Sequence, residues 1–137
     1  MRDKSFIDTN VFVYAIDNDS GNKREKALQF LQKIEKHDKV YVSTQVIKEL
    51  SNTVIKKNLL NEVQLLAFLD IFSGYKFTRI SFITIKDAIR IKYRYQLSFY
   101  DSLIIATALE NNCSKLFSED LNEGQTIEGL QIINPFQ

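Results

Sequence analysis

Short apolar runs alternate with amphipathic stretches along this chain. Ser5 to Ile7 reads as a short buried strand closed by Asp8, and the apolar residues from Val11 to Ile16 begin a helix. The cluster Asp17-Asn18-Asp19-Ser20-Gly21-Asn22 marks a turn. Asn22 stands where it can cap a long helix, with Glu25 at the third helical position. Ala27, Leu28, Phe30, Leu31 and Ile34 then recur with a period of about 3.6. Val40-Tyr41-Val42 predicts a second strand, and Ser43 or Thr44 caps a helix through roughly Lys57. Another helix is expected from about Asn61 to Phe72, and a third strand within Phe77 to Phe82. Thr84-Ile85-Lys86-Asp87 has the form of a capping box opening a helix to about Tyr95. Ser98-Phe99-Tyr100-Asp101 opens the next, which ends near Asn111-Asn112. Lys115 to Ser118 and Leu130 to Ile133 are the fourth and fifth strands. Strands alternating with helices imply an α/β fold, with a central parallel sheet of about five strands flanked by helices on both faces.

The chain of 137 residues suits one domain, residues 1–137, and is long enough to bury a core without disulfides or a structural metal. Its 45% hydrophobic content, with charge of both signs, argues against disorder. The net charge of +1 neither favours nor excludes nucleic acid, so any attraction to phosphate must come from a local patch. Cys113 is the only cysteine, which rules out an internal disulfide and points to a reducing cytoplasm. It is expected as a small semi-buried residue near a helix end. The N-terminus does not read as a signal peptide, and no apolar stretch is long enough to span a bilayer.

Four acids fall at strand ends or in the helix that follows: Asp8, Glu49, Asp101 and Asp120. Open α/β sheets bind their ligands outside the carboxyl ends of the strands. Carboxylates gathered there raise the cost of ionising one another. A hard divalent cation with oxygen ligands relieves that repulsion, so the pattern points to a magnesium or manganese site. The commonest chemistry of such a site is phosphodiester cleavage. Each acid also has a plainer reading. Asp8 suits a helix cap, Glu49 a solvated helix position, Asp101 the far half of a box on Ser98, and Asp120 a turn. Asp8, Asp101 and Asp120 are the first candidates for metal ligands, with Glu49 completing the cluster. Asn10 and Ser118 are candidates to support them, or to act as local caps. Glu119 and Glu123 read as solvated loop residues. His37, the only histidine, sits among Lys36, Asp38 and Lys39 and reads as an exposed helix end, which excludes a histidine-pair mechanism.

Lys86, Arg90 and Arg94 recur every four residues and share one helical stripe, with Tyr93 and Tyr95 close by. Cations for phosphate and aromatics for bases suit single-stranded RNA; a solvated helix face is the alternative. Lys56-Lys57 and Lys23-Arg24-Lys26 are weaker candidates of the same kind.

The acids, in this order and spacing, resemble the PIN domain family. The resemblance rests on Phe6-Ile7-Asp8-Thr9-Asn10, on Val42-Ser43-Thr44 through Glu49-Leu50, and on Tyr100-Asp101-Ser102-Leu103-Ile104-Ile105-Ala106-Thr107-Ala108. It extends through Ser118-Glu119-Asp120-Leu121, Gly124-Gln125, Gly129-Leu130 and Asn134-Pro135-Phe136. It implies a five-stranded parallel sheet, a carboxylate cluster holding magnesium or manganese, and ribonuclease activity leaving 5′-phosphate and 3′-hydroxyl ends. It also implies a VapC-like toxin held inactive by a cognate antitoxin protein, in a family that often forms homodimers. Leu121-Asn122 departs from the aromatic residue many members carry after the last acid. A response-regulator receiver or a dehalogenase-like hydrolase fits poorly, because Asn10 and Thr9 stand where those sites want further acids. A non-catalytic module binding RNA or a protein is the reading from another class.

Overall fold

The computed structural model describes residues 2–121 and 124–137. The element order is β1 (Lys4–Ile7), α1 (Thr9–Ile16), α2 (Asn22–His37), β2 (Lys39–Ser43) and α3 (Thr44–Lys56), then α4 (Glu62–Leu69), β3 (Lys76–Thr78), α5 (Phe82–Tyr95), α6 (Phe99–Glu110), β4 (Lys115–Phe117), β5 (Thr126–Ile127) and β6 (Leu130–Ile133). Short 3-10 turns span Asn18–Ser20 and Asp70–Gly74.

Among the described residues six strands form one sheet, in the order β3-β2-β1-β4-β6-β5. The first five in that order run parallel, as expected. The sixth, β5, is a two-residue strand antiparallel to β6 that the sequence pattern did not announce. Glu128 and Gly129 make the turn between them with φ of 50° and 91°. Central β1 is buried over Ser5, Phe6 and Ile7, as befits a strand covered on both faces. The chain steps from β1 outward through β2 to β3, then returns to the other side of β1 to lay down β4. The strand order therefore reverses between β1 and β4, and a crevice opens beyond their carboxyl ends.

Helix α6 shows why some faces need no periodicity. Ser102 to Ala108 are all buried, so this helix is apolar nearly all round and packs inside the molecule, mainly against α5. The core joins Phe6, Phe12, Leu50, Ile91, Ile105, Leu116 and Ile132 from both faces of the sheet.

Several boundaries differ from the expectation. Gly21, not Asn22, occupies the cap of α2, and among the described residues no side chain bonds there. Its φ of 61° explains the preference for glycine. The fourth helix ends at Leu69 and tightens into the 3-10 turn instead of running to Phe72. The capping box of α5 is Ser81 with Thr84, so Phe82 lies in the helix and the third strand stops at Thr78. The apolar residues Ile80, Phe82, Ile83 and Ile85 hide that boundary, because strand and helix patterns overlap in so short a run. Cys113 is buried just past α6, and His37 is exposed at the end of α2. Among the described residues no helix is long and apolar enough to cross a membrane.

Candidate active site

Asp8 follows β1 directly and caps α1. Its backbone N–H donates to Phe117 O at 3.0 Å, which carries the β1–β4 pairing one residue past the strand. The carboxylate is buried, and both oxygens are held: Thr9 N–H donates to Oδ1 at 2.6 Å and the Ser118 hydroxyl to Oδ2 at 2.9 Å. Burial pushes its pKa up to about 6 from 3.8. The charges of Asp120 and Glu49 add to that, while the two hydrogen bonds oppose it.

Glu49 lies in the second turn of α3, half-buried. Thr9 Oγ1 donates to its Oε2 at 3.0 Å, and Gln45 Nε2 donates to its Oε1 at 2.8 Å. Gln45 sits one helical turn before Glu49, with its own Oε1 buried and without a hydrogen-bond partner among the described residues. Asp120 stands beyond β4. The Asn10 amide donates to its Oδ2 at 2.7 Å, and its backbone N–H donates to Ser118 Oγ at 3.3 Å. Burial raises Asp120 above the ordinary carboxylate value, with help from the charges of Asp101 and Glu119, against the Asn10 hydrogen bond and Lys23.

Asp101 opens α6. Only half of the expected capping box forms: the Asp101 backbone N–H donates to Ser98 Oγ at 3.1 Å. The Asp101 carboxylate takes no part in the box and accepts no hydrogen bond among the described residues, so it is left to face Asp120. The four acids are thus coupled in sequence, Glu49 to Asp8, Asp8 to Asp120, and Asp120 to Asp101. Among the described residues none of the four carboxylates has a Lys or Arg nitrogen within 4.0 Å. At the opposite edge of the sheet, buried Asp38 does have one: Lys115 lies 3.6 Å away.

The arrangement stops short of a preassembled cage. Among the described residues no three Asp, Glu, His or Cys side chains stand together as one ligand set. Mg²⁺ is usually bound through one or two carboxylates and keeps several waters, so full direct ligation is not required. An oxygen-only donor set, an acid pushed upward by burial with its acidic neighbours adding to it, and an unpartnered buried carbonyl oxygen all fit a hydrated hard cation.

Three features were not legible in the sequence. Thr9 ties Asp8 to Glu49. Gln45 braces Glu49, and its spacing four residues before Glu49 was the available signal. Glu119, expected to be solvated, is half-buried and bound to Tyr14 OH at 2.6 Å and to Lys23. Burial works against its charge, but the hydrogen bonds from Lys23 and Tyr14 outweigh that and hold it below the usual value. Glu123 and Asn122 lie outside the described residues. On α5, Arg90 lies 3.6 Å from both Asp87 and Glu128, and Arg94 lies 3.9 Å from Glu128. Lys86 instead lies over the Phe82 ring.

The PIN domain family profile matches residues 5–122, most of the chain. The chain belongs to the PIN domain family. No curated protein matches it. Solved structures share the PIN fold at low identity. A toxin–antitoxin complex from Klebsiella pneumoniae aligns with a TM-score of 0.71 at 20% identity, over 96% of this chain and 97% of that one. VapBC2 from Rickettsia felis, bound to a DNA fragment from its promoter, gives 0.69 at 21% identity, over 94% and 96%. The sarcin-ricin loop cleaving toxin VapC20 of Mycobacterium tuberculosis gives 0.68 at 14% identity, over 85% and 91%.

Proposed function

We propose that this PIN domain is a divalent-metal-dependent endoribonuclease and the toxin of a toxin–antitoxin pair. One observation carries the reading: Asp8 and Asp120 follow β1 and β4 at the sheet's topological switch point and share Ser118, Thr9 links Asp8 to Glu49, Asp101 lies near enough to Asp120 to raise its pKa, and among the described residues no Lys or Arg nitrogen lies within 4.0 Å of any of the four. The toxin–antitoxin and RNA-cleaving relatives on the same fold support it.

Asp8, Asp101 and Asp120 would hold Mg²⁺ or Mn²⁺, directly or through water, with Glu49 completing the set. When bound, the cation supplies a water of lowered pKa and screens charge building on the phosphoryl oxygens. Ser118 and the Thr9 N–H orient Asp8. Asn10 orients Asp120. Thr9 and Gln45 hold Glu49 by hydrogen bonds, and Glu49 would orient an attacking water. Lys86, Arg90 and Arg94 would add phosphate contacts, although Glu128 already engages the two arginines. A protein antitoxin would cover apolar surface that the fold leaves open, such as Ile55, Val63 and Leu66, or Phe82, Ile83 and Tyr93. A homodimer would use the same kind of surface. An RNA substrate and an antitoxin partner, with a single cysteine in the chain, suit the cytoplasm as its setting.

Cleavage of defined RNAs with and without manganese, comparing wild type with Asp101→Asn, tests the proposal. Manganese-dependent cutting that Asp101→Asn abolishes is the expected result. The rival reading, a non-catalytic RNA- or protein-binding module on a PIN fold, draws on the lack of a three-acid ligand set. Indifference of wild type to manganese would favour it.

A further inference from the structure

The α5 stripe can lend only part of its charge to a polyanion, because Glu128 draws Arg90 and Arg94 together and Tyr95 OH donates to the same carboxylate at 3.3 Å. A different surface has the charge and the floor that an RNA strand needs. Lys23, Lys26, Phe30 and Lys33 fall at spacings of three and four along α2 and so share one face. No acid of α2 itself lies on that face, because Glu25 and Glu35 fall on other sides of the helix; from outside it Glu119 pairs with Lys23 and Asp38 lines the far hollow. Lys26 and Lys33 are exposed and have no carboxylate within 4.0 Å among the described residues.

Beside this face runs a groove of about 350 Å³, lined by Lys26, Phe30, Lys33 and Phe136. It leads toward a second hollow of about 280 Å³ that shares Phe30 and Lys33. The floor is aromatic. Phe30 packs on Phe117 with ring centroids 4.7 Å apart, and half-buried Phe136 meets Tyr14 edge-on at 5.2 Å. At the head of the groove Lys23 sits 4.7 Å from the Tyr14 ring centroid and pairs with Glu119, the residue before Asp120. The groove therefore starts beside the candidate active site and follows α2, a helix about 24 Å long, toward the opposite edge of the sheet.

We infer that single-stranded RNA leaves the carboxylate cluster along α2, its phosphates on Lys26 and Lys33 and its bases against Phe30 and Phe136. The inference rests on the ribonuclease reading and assigns its substrate path. Lysines that repeat along one groove neutralise successive phosphates, and the uncovered parts of half-buried Phe30 and Phe136 offer bases an apolar surface without sequence preference. Glu119 keeps Lys23 at the junction, so the strand meets a fixed cation before it reaches Asp120. The path implies sequence-tolerant affinity over this stretch, with sequence choice made elsewhere.

The test is a salt titration of affinity for a short fluorescein-labelled single-stranded RNA, in chelator so that the probe survives. Wild type is compared with Lys26→Ala/Lys33→Ala, Arg90→Ala/Arg94→Ala and Lys56→Ala/Lys57→Ala. All are exposed cations, and thermal unfolding checks that each variant is folded. Each phosphate contact with a single strand contributes about 0.7 to the slope of log affinity against log salt. The α2 pair should therefore lower the slope by about 1.4, and the other pairs by less. An unchanged slope in the α2 pair, or a larger loss in the α5 pair, overturns the path. Manganese-dependent cleavage by the same preparations keeps the two ideas apart. Cleavage with an unchanged α2 slope removes the path and leaves the nuclease. A lowered α2 slope without cleavage removes the nuclease and leaves an RNA-binding groove. Wild type that neither binds nor cuts RNA removes both.

Discussion

Ser118 donates its hydroxyl to Asp8 at 2.9 Å across 110 positions of the chain, and the same oxygen accepts the Asp120 backbone N–H at 3.3 Å. One buried side chain thus ties the acid after the central strand to the acid after its neighbour. Ser118→Ala leaves a buried carboxylate short of a donor, which costs about 1–3 kcal/mol. Because that hydrogen bond holds the Asp8 pKa down, its loss should push the pKa higher. Manganese binding should then require a higher pH. Denaturant unfolding and manganese titration at several pH values check both effects; a variant neutral in each would deny Ser118 this role.

Asp8 also sets a pH dependence on folding. Its carboxyl ionises near 3.8 in the unfolded chain and at about 6 when folded. Between those values the folded protein keeps a proton that the unfolded chain has released. Stability contributed by the protonated form is therefore complete below the lower value and drains away as pH rises through the upper one, by about 3 kcal/mol in all. In chelator, the denaturant midpoint should fall from about pH 4 to about pH 7, and Asp8→Asn should flatten that fall. Manganese should restore stability at the upper end of the range in wild type and not in Asp8→Asn. Parallel curves for the two proteins would show that Asp8 pays no such cost.

The alternation of elements was readable because each strand end carries a polar punctuation mark after a buried run, as at Ile7-Asp8 and Phe117-Ser118. The four acids were readable for the same reason: function sits at those junctions. Their mutual wiring was not. Thr9 looks like any residue in a first helical turn until α3 brings Glu49 against it. Glu119 looks like loop until α1 and α2 present Tyr14 and Lys23 to it. The regular spacing of Lys86, Arg90 and Arg94 gave no hint of Glu128, which arrives through a two-residue strand too short to leave a pattern. Long-range pairing of single polar side chains has no period, so only the fold reveals it.

Cys113 offers a check on packing that is independent of the site. It is buried after α6, and burial pushes the thiol up to about 12 from 9.0. A buried neutral thiol is inert, because the thiolate is the reacting form. Ellman's reagent at mildly alkaline pH should label the native protein only as fast as it unfolds, and the denatured protein at once. Rapid native labelling would contradict the burial of Cys113 in the link between α6 and β4.

Thr9 makes two distinct contributions, and a single substitution separates them. Its backbone N–H donates to Asp8 Oδ1, which any residue other than proline can do. Its hydroxyl donates to Glu49 Oε2, which only serine can imitate. Thr9→Val preserves the first and removes the second at nearly constant volume. Glu49 is half-buried and keeps its Gln45 partner, so water can replace part of the loss, and the stability cost should stay near 1 kcal/mol. Catalysis should suffer more if Glu49 must point at the attacking water. A drop of about tenfold in manganese-dependent cleavage corresponds to about 1.4 kcal/mol of misplaced orientation. Thr9→Ser should recover most of that rate while packing less well, which a purely structural role for the methyl group would not predict. If Thr9→Val cuts RNA as fast as wild type, Glu49 orients nothing in the reaction and belongs with the residues that only shape the cleft.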